Sequence, residues 1–492
     1  MKRIVLLLAL LVYSVALFSQ EKMYIHKSNH VTMGAWLSLT DSIYFSSEGY
    51  MFYAQVGSQL FSSTVANVDS ISFGDDSNTI SVYYNGTTAY VVNPLAFEGV
   101  SVTIDGADVT VNSTTETRDI NYSLSGKTSD GTFKLYSEKR FNLLLNGVEI
   151  TNPDGPALNI QSNNKASVTL TNGTTNTFTD GATYATAPNT SEGEEEGQDA
   201  AFFSEGKLVF SGSGSLIVNG VGADKHALSS DDLIQIDGGN ITINSAAKDG
   251  IHGKDGVVVT SGTINVTASG DAIDGANGYV DISGGTITTT NTVADVKAIG
   301  CDSTLTISGG TIVINISGDQ SKGLKSDQNM ELKGGNITIN SSGGAVLESS
   351  GSGYDPSYST AVKCDSILTV DGATLKIKST GIAGRGISTD YDFIMKSGTV
   401  EVTTTGAGST YTNSTGTSDA YTATCLSSDR NIQISNGSIT LSSSGTGGKG
   451  ISCDGALTVG ASNYSPIVNI TTTGSKITIS SSSGAGGGFG GG

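Results

Sequence analysis

The chain has 492 residues, of which 15% are charged, and a formal net charge of −20. That acidic balance argues against a nucleic-acid partner, whose phosphates need basic patches, and any acidic polymer would need a bridging cation or a local basic strip. No segment shows a sustained helical period, and 65 glycines accompany a single tryptophan, Trp36.

At the start, Lys2 and Arg3 precede the apolar run Ile4–Leu11, which extends less cleanly to Phe18. Residues 1–19 read as a secretory signal with cleavage near Ser19, so the mature protein is expected to be secreted or held at the cell surface or periplasm. No cysteine lies near that point to carry a lipid, and no later segment is long and apolar enough to span a membrane. Residues 20–79 form a separate stretch. TDSIYFSS (40–47) and VDSISFG (68–74) repeat one strand motif around MFYAQVG (51–57), which predicts a small N-terminal β module or cap. Ile80–Pro94 leads out of it. Between 95 and 220 the clear strands are VSVTIDGADVTV (100–111), FNLLLNGVEI (141–150), ASVTLTNG (166–173) and KLVFSGSGSLIVNG (207–220). The loop 182–199 carries SEGEEEGQD, read as a solvated, mobile insertion, with a calcium-collecting flap as the alternative.

From His226 onward one pattern recurs. HALSSDDLIQIDGGNITI (226–243) and KAIGCDSTLTISGGTIVI (297–314) share an apolar anchor, a short alternating strand, a glycine corner and a second strand. The anchors are Leu228, Ile251, Ile273, Ile299, Leu324, Val362, Ile387, Leu426 and Ile451, with steps of 23, 22, 26, 25, 38, 25, 39 and 25 residues. The two long steps are one repeat plus an insertion. A period of this size in alternating strands means a solenoid, since each strand buries its apolar face only by stacking on the next repeat. A propeller blade would need roughly 40 residues per repeat. The fold class is therefore all-β, a right-handed parallel β-helix over 80–480, followed by a flexible glycine-rich tail at 481–492. Gly239, Gly262, Gly285, Gly310, Gly335, Gly398 and Gly437 stand at the corners, where a repeated turn favours positive φ.

The residue two before each anchor reads His226, Asp249, Asp271, Lys297, Lys322, Thr360, Arg385, Thr424, Lys449. Rungs stack about 4.8 Å apart, so Asp249 and Asp271 repel unless a cation lies between them. Asp249, Asp271 and Asp274, with Asp255 six residues after Asp249, are the candidate Ca2+ ligands. Lys297 and Lys322 follow in the column, and adjacent ammonium groups lower one another's pKa, making either a candidate base. The competing reading is a ladder of salt bridges on an exposed face. A second column, from Asp231 and Asp255 to Asp429 and Asp454, is too regular for one active site and reads as Asx side chains capping a repeated turn. Cys301, Cys364 and Cys453 lie on rungs that are not neighbours, and Cys425 lies in another column, so all four read as small apolar filler. The insertions near 343–359 and 406–421 carry Tyr354, Tyr358, Tyr411 and Tyr421, which suit the flat face of a sugar or else pack the loops onto the coil.

The runs LLLNGVEITNPDGPALNI (143–160), LTNGTTNTFTDGATY (170–184), GSLIVNG (214–220) and KDGIHGKDGVVVTSGTINVTA (248–268) resemble a secreted bacterial family, the carbohydrate-binding domain family of calcium-binding β-helices. The likeness covers roughly 126–480. It implies a right-handed parallel β-helix, bound calcium and binding of plant cell-wall polysaccharide, with pectin and cellulose as ligands. There is also a distant resemblance to family-nine pectate lyases, whose calcium positions fall most naturally on Asp249, Asp271 and Asp274. The lysine of that family carries over to either Lys297 or Lys322, so it assigns no firm catalytic role. Three functions follow as expectations: calcium-dependent binding of an acidic polysaccharide such as polygalacturonate by a monomer, a calcium-dependent polysaccharide lyase, or a structural surface adhesin. Glycoside hydrolysis needs two carboxylates free to act as acid and base, and these are better placed to hold a metal.

Overall fold

Short alternating strands stack in register through most of the chain, as the repeat requires. The structure, a computed structural model, describes residues 21–115, 119–190 and 193–479. The expected signal segment 1–19 and the glycine-rich tail 481–492 lie outside the described residues. Almost all regular structure is β, with two single 3₁₀ turns at Leu37–Leu39 and Val65–Asn67 among the described residues. Two compact units divide the chain after Ile217.

In the first unit, strand Lys22–Lys27 lies antiparallel between Val31–Trp36 and Val68–Gly74. A second antiparallel sheet joins Thr40–Phe45, Met51–Val56 and Gln59–Thr64. The two repeated motifs each follow a 3₁₀ turn and bring Ile43 and Ile71 against one core of Met23, Ile25, Ala35, Phe52, Ala54 and Val56. Parallel stacking starts where Thr79–Asn85 pairs with Ile120–Thr128 and Asp108–Ser113 pairs with Phe133–Ser137. The run 100–111 is two strands, not one, because it reverses into an antiparallel hairpin. The acidic insertion is mostly exposed, as expected, but one of its glutamates is anchored. Glu196 is buried, pairs with Lys134 and accepts a hydrogen bond from Tyr136 Oη at 2.7 Å. The neighbouring Gly197 carbonyl accepts one from Gln161 at 2.9 Å. The lysine and the tyrosine hydroxyl give the buried carboxylate the partners that burial of a charge requires.

The second unit is a parallel β-helix. All nine anchors stand opposite one another, Leu228 on Ile251, Ile251 on Ile273, and so on to Leu426 on Ile451. A typical rung has three strands, as in Lys297–Cys301, Leu305–Ile307 and Thr311–Ile316. The inward positions Ile299, Leu305, Ile307, Ile312 and Ile314 are fully buried. Each such side chain contributes about 1.5–3 kcal/mol through burial, and only stacking between rungs supplies it. On the last rung Leu457, Val459 and Ile467 are 47–59% exposed, since no described strand stacks beyond them. The corner glycines take positive φ as expected; Gly335 stands at +80°, and a Cβ there would lie 2.7 Å from the Gly309 carbonyl. Cys301, Cys364 and Cys425 are buried in the coil, as the filler reading requires, while Cys453 on the last rung is partly exposed.

Candidate functional site

The column before the anchors converges on the rungs of Leu228, Ile251, Ile273 and Ile299. The strands there are very short, Ile251–Gly253 and Ile273–Asp274, flanked by glycines that admit close backbone approach. A Cβ on Gly250 would lie 2.7 Å from the Ala272 carbonyl, and one on Gly270 2.4 Å from the Asp249 carboxylate. The residues before and after each anchor are therefore drawn in. His226, Asp249 and Asp274 are 4–8% exposed, whereas the Asp271–Lys297 ion pair of the salt-bridge reading forms at the more open end of the column.

Each carboxylate uses one oxygen on backbone and turns the other toward a side chain. Asp249 Oδ1 accepts the Asp271 N–H at 2.8 Å, and Oδ2 stands 3.1 Å from His226 Nδ1 and 3.6 Å from His252 Nδ1. Asp271 Oδ1 accepts the Lys297 N–H at 2.6 Å, while Oδ2 pairs with Lys297 Nζ at 3.2 Å. Asp274 Oδ1 accepts the Ala276 N–H at 3.0 Å, and Oδ2 meets His252 Nδ1 at 2.9 Å. The rings of His226 and His252 stack 4.1 Å apart at 19°.

These contacts set the charges. Burial alone would raise the Asp249 carboxyl, but its two histidine neighbours outweigh burial and hold it well below the usual range. Burial pushes Asp271 up to about 6, and the Lys297 charge only partly opposes it. Burial would lower His252, yet Asp249 and Asp274 carry it to about 9. His226 is lowered, chiefly by burial. Burial would also lower Lys297, but Asp271 raises it overall, which works against a base role. Lys322 moves the other way, lowered mainly by burial, and its ammonium donates to the Gln320 carbonyl.

Of the four carboxylates expected to act together, Asp249, Asp271 and Asp274 lie near enough for Asp271 to feel the charges of the other two, but the donor atoms that fall within 4.8 Å of one another among the described residues are those of His226, Asp249 and His252. Asp255 sits exposed on the corner after Gly253, held through its N–H to the Asp232 carbonyl. These three carboxylates suit a hard cation in donor type, with His252 and Lys297 as the charges such an ion would compete against. His252 was missed in the sequence. It stands one residue after its anchor, in a stacked column reading Ser229, His252, Asp274, Gly300, Lys325, Lys363. Aligning the position after the anchors, as was done for the position before them, exposes it.

That same column changes the reading of the regular Asp column. Lys325 Nζ lies 2.5 Å from Asp365, Lys363 lies 2.9 Å from Asp365 and also pairs with Asp390, and Lys254 lies 3.5 Å from Asp231. These aspartates are counter-ions. Several turn caps come from serine instead, such as Ser230 to the Asp232 N–H at 3.1 Å and Ser428 to the Arg430 N–H at 3.1 Å.

The tyrosine insertions are two antiparallel hairpins, Val346–Ser350 with Gly353–Ser357 and Ser409–Thr412 with Ser418–Tyr421. They join at their tips, where the Ser352 N–H donates to the Ser414 carbonyl at 2.8 Å. Tyr354 is 44% exposed. Tyr358 lies under the Arg385 guanidinium, 3.4 Å from ring centre to Cζ, and Tyr411 meets Tyr421 edge-on at 5.9 Å. Tyr358 thus packs on the coil, whereas Tyr354 remains open.

A family model described as carbohydrate-binding domain-containing protein matches residues 105–353 and 305–408. A carbohydrate-binding domain-containing protein of Acetivibrio thermocellus is 30% identical over 144 residues, 29% of this chain and 48% of that protein. The chain thus spans about half the length of that relative. Among solved structures, a polysaccharide lyase-like protein from C. thermocellum, as a gadolinium derivative, is similar at a TM-score of 0.43 with 25% identity, covering 53% of this chain and 96% of that one. The first of the two family matches alone takes in half of the sequence, and the chain belongs to the carbohydrate-binding domain family.

Proposed function

We propose that this chain is an exported monomer that binds an acidic plant cell-wall polysaccharide, pectin or polygalacturonate, with cellulose as a further ligand, and that Ca2+ held by Asp249, Asp271 and Asp274 makes acidic-glycan binding possible. The observation that supports it is the nearness of three carboxylates on two neighbouring rungs, where Asp271 feels the charges of Asp249 and Asp274 and its N–H is bonded to Asp249 at 2.8 Å. With His252 neutral, one calcium ion and the Lys297 ammonium balance the three negative charges. Bound there, calcium supplies coordination positions for a uronate carboxylate. Without it, a protein of net charge −20 and a polyanion repel.

The test is isothermal titration of polygalacturonate, with calcium and with chelator, into the wild type and Asp271→Ala. Binding that needs calcium and weakens at least tenfold, about 1.4 kcal/mol, in the variant supports the reading. Binding that survives both changes moves the site to the tyrosine hairpins. No binding to any glycan leaves the adhesin reading. A lyase is the second reading, favoured by the lowered pKa of Lys322. It requires unsaturated uronate products, seen by their ultraviolet absorption, and their absence across a panel of uronates rejects it.

A further inference from the structure

Beside the three carboxylates, a different set of atoms converges. Nδ1 of His226, Nδ1 of His252 and one carboxylate oxygen of Asp249 all lie within 4.8 Å of one another. A zinc ion with ligand bonds of about 2.0–2.1 Å holds its tetrahedral donors about 3.3 Å apart. The two measured edges, 3.1 Å from His226 Nδ1 to Asp249 Oδ2 and 3.6 Å from His252 Nδ1 to the same oxygen, straddle that value. The third edge, between the two Nδ1 atoms, is within 4.8 Å, and the stacked rings must turn out of parallel to aim both lone pairs at one ion.

An independent feature points to a ligand at this place. His226 is 4% exposed, and its Nδ1 faces Asp249 Oδ2 at 3.1 Å outside hydrogen-bond geometry, held there by charge alone. Buried polar atoms are almost always partnered, and an imidazole nitrogen left bare toward a carboxylate and a second imidazole is disposed as a ligand atom. Calcium prefers hard oxygen donors throughout, whereas two imidazoles and one carboxylate suit zinc and its neighbours.

We propose that His226, Asp249 and His252 form a binding site for a divalent transition metal of the zinc class, with a remaining coordination position open to water or to a ligand. The proposal does not rest on glycan binding. It shares only Asp249 with the calcium set, and the two carboxylate oxygens divide the work: Oδ1 faces the Asp271 N–H and Oδ2 faces the imidazoles. His252 Nδ1 now shares a proton with Asp274 at 2.9 Å, and the metal takes that proton's place.

The experiment is titration of the full, metal-stripped chain with Zn2+ by calorimetry in a large excess of calcium, together with visible absorption of the Co2+ form. The expected result is one zinc per chain with a Kd on the order of 1 μM or tighter. The cobalt form should show the intense visible bands of four or five coordination. His226→Gln and His252→Gln should each weaken zinc at least tenfold, while Lys376→Ala, outside both metal sets, leaves zinc affinity within about twofold. Zinc bound no more tightly than magnesium, or unchanged in both histidine variants, overturns the proposal. Should a buried histidine variant fail to fold, the wild type decides the matter alone. Two paramagnetically shifted imidazole N–H resonances in the cobalt form support the site, and none overturns it.

Discussion

Asp365 shows how single residues keep an acidic solenoid stable. Its carboxylate lies between two ammonium groups on adjacent rungs, 2.5 Å from Lys325 and 2.9 Å from Lys363. Partial burial would raise its pKa, but the two lysines outweigh burial and hold it below the ordinary 3.8. A carboxyl lowered by folding stabilises the fold above its unfolded pKa, and that stability disappears as pH falls through the folded value. Asp365→Asn should therefore cost stability at pH 7, about 1 kcal/mol given the partial exposure of the pair. The difference between variant and wild type should shrink below about pH 4 and vanish once both are protonated or neutral. Thermal melts across that range check it, and a gap that stays constant down to acid pH would show that packing, not charge, is lost. The sequence displayed this aspartate column plainly, but its period alone could not tell turn caps from counter-ions. The deciding information lay one position after each anchor, at Lys325 and Lys363, where a strand residue and the next corner meet.

At the scale of the rung, two glycine columns do different work. The corner column was legible because each member stands two residues before an apolar strand position, where the turn takes positive φ. A second column, Gly318, Gly343, Gly381, Gly406 and Gly445, went unread although it steps by 25, 38, 25 and 39, the same as the anchors. Its cause is contact rather than φ: a Cβ on Gly406 would lie 1.6 Å from the Gly381 carbonyl, and one on Gly343 1.8 Å from that of Gly318. At Gly335 the corresponding distance is 2.7 Å. Gly335→Ala should then cost about 1–2 kcal/mol, mostly through its strained φ. Gly406→Ala should cost more, about 3 kcal/mol or above, because two backbone segments must separate. Urea midpoints order the two variants, and an equal loss would mean that rungs give way at this column as easily as at the corners. The insertions behave differently as elements. Their existence and tyrosine content were visible in the two long anchor steps, but not their hairpin form or mutual contact, which depends on Ser352 and Ser414, 62 residues apart, meeting at the tips.

For the molecule as a whole, the fold followed from one period, whereas the site needed the depth of each residue as well as its order. The salt-bridge reading set the charged column on an exposed face and the calcium reading left its depth open; glycine neighbours such as Gly250 and Gly270 let the backbone approach closely around the buried Asp249, which no residue spacing announces. Depth also decides how a chain of net charge −20 meets a polyanion. Lys325 and Lys363 form the centre of a basic strip on one sheet but are neutralised by Asp327, Asp365 and Asp390. Half-buried Lys322, which donates to the Gln320 carbonyl, and Arg385, which covers Tyr358, carry the rest of its positive charge. If the strip bound an acidic glycan directly, affinity in chelator would fall steeply with added salt, because exposed ion pairs are screened within about 10 Å at 0.1 M. If calcium bridges instead, chelator should abolish binding at every salt concentration. With calcium present, modest salt should then change polygalacturonate affinity by less than about threefold, since screening weakens the overall repulsion as well as the attraction. Calorimetry at two ionic strengths, repeated with Lys322→Ala, separates the cases: salt-sensitive binding in chelator that the variant removes would assign recognition to the strip and leave the buried carboxylates to the metal chemistry of the coil alone.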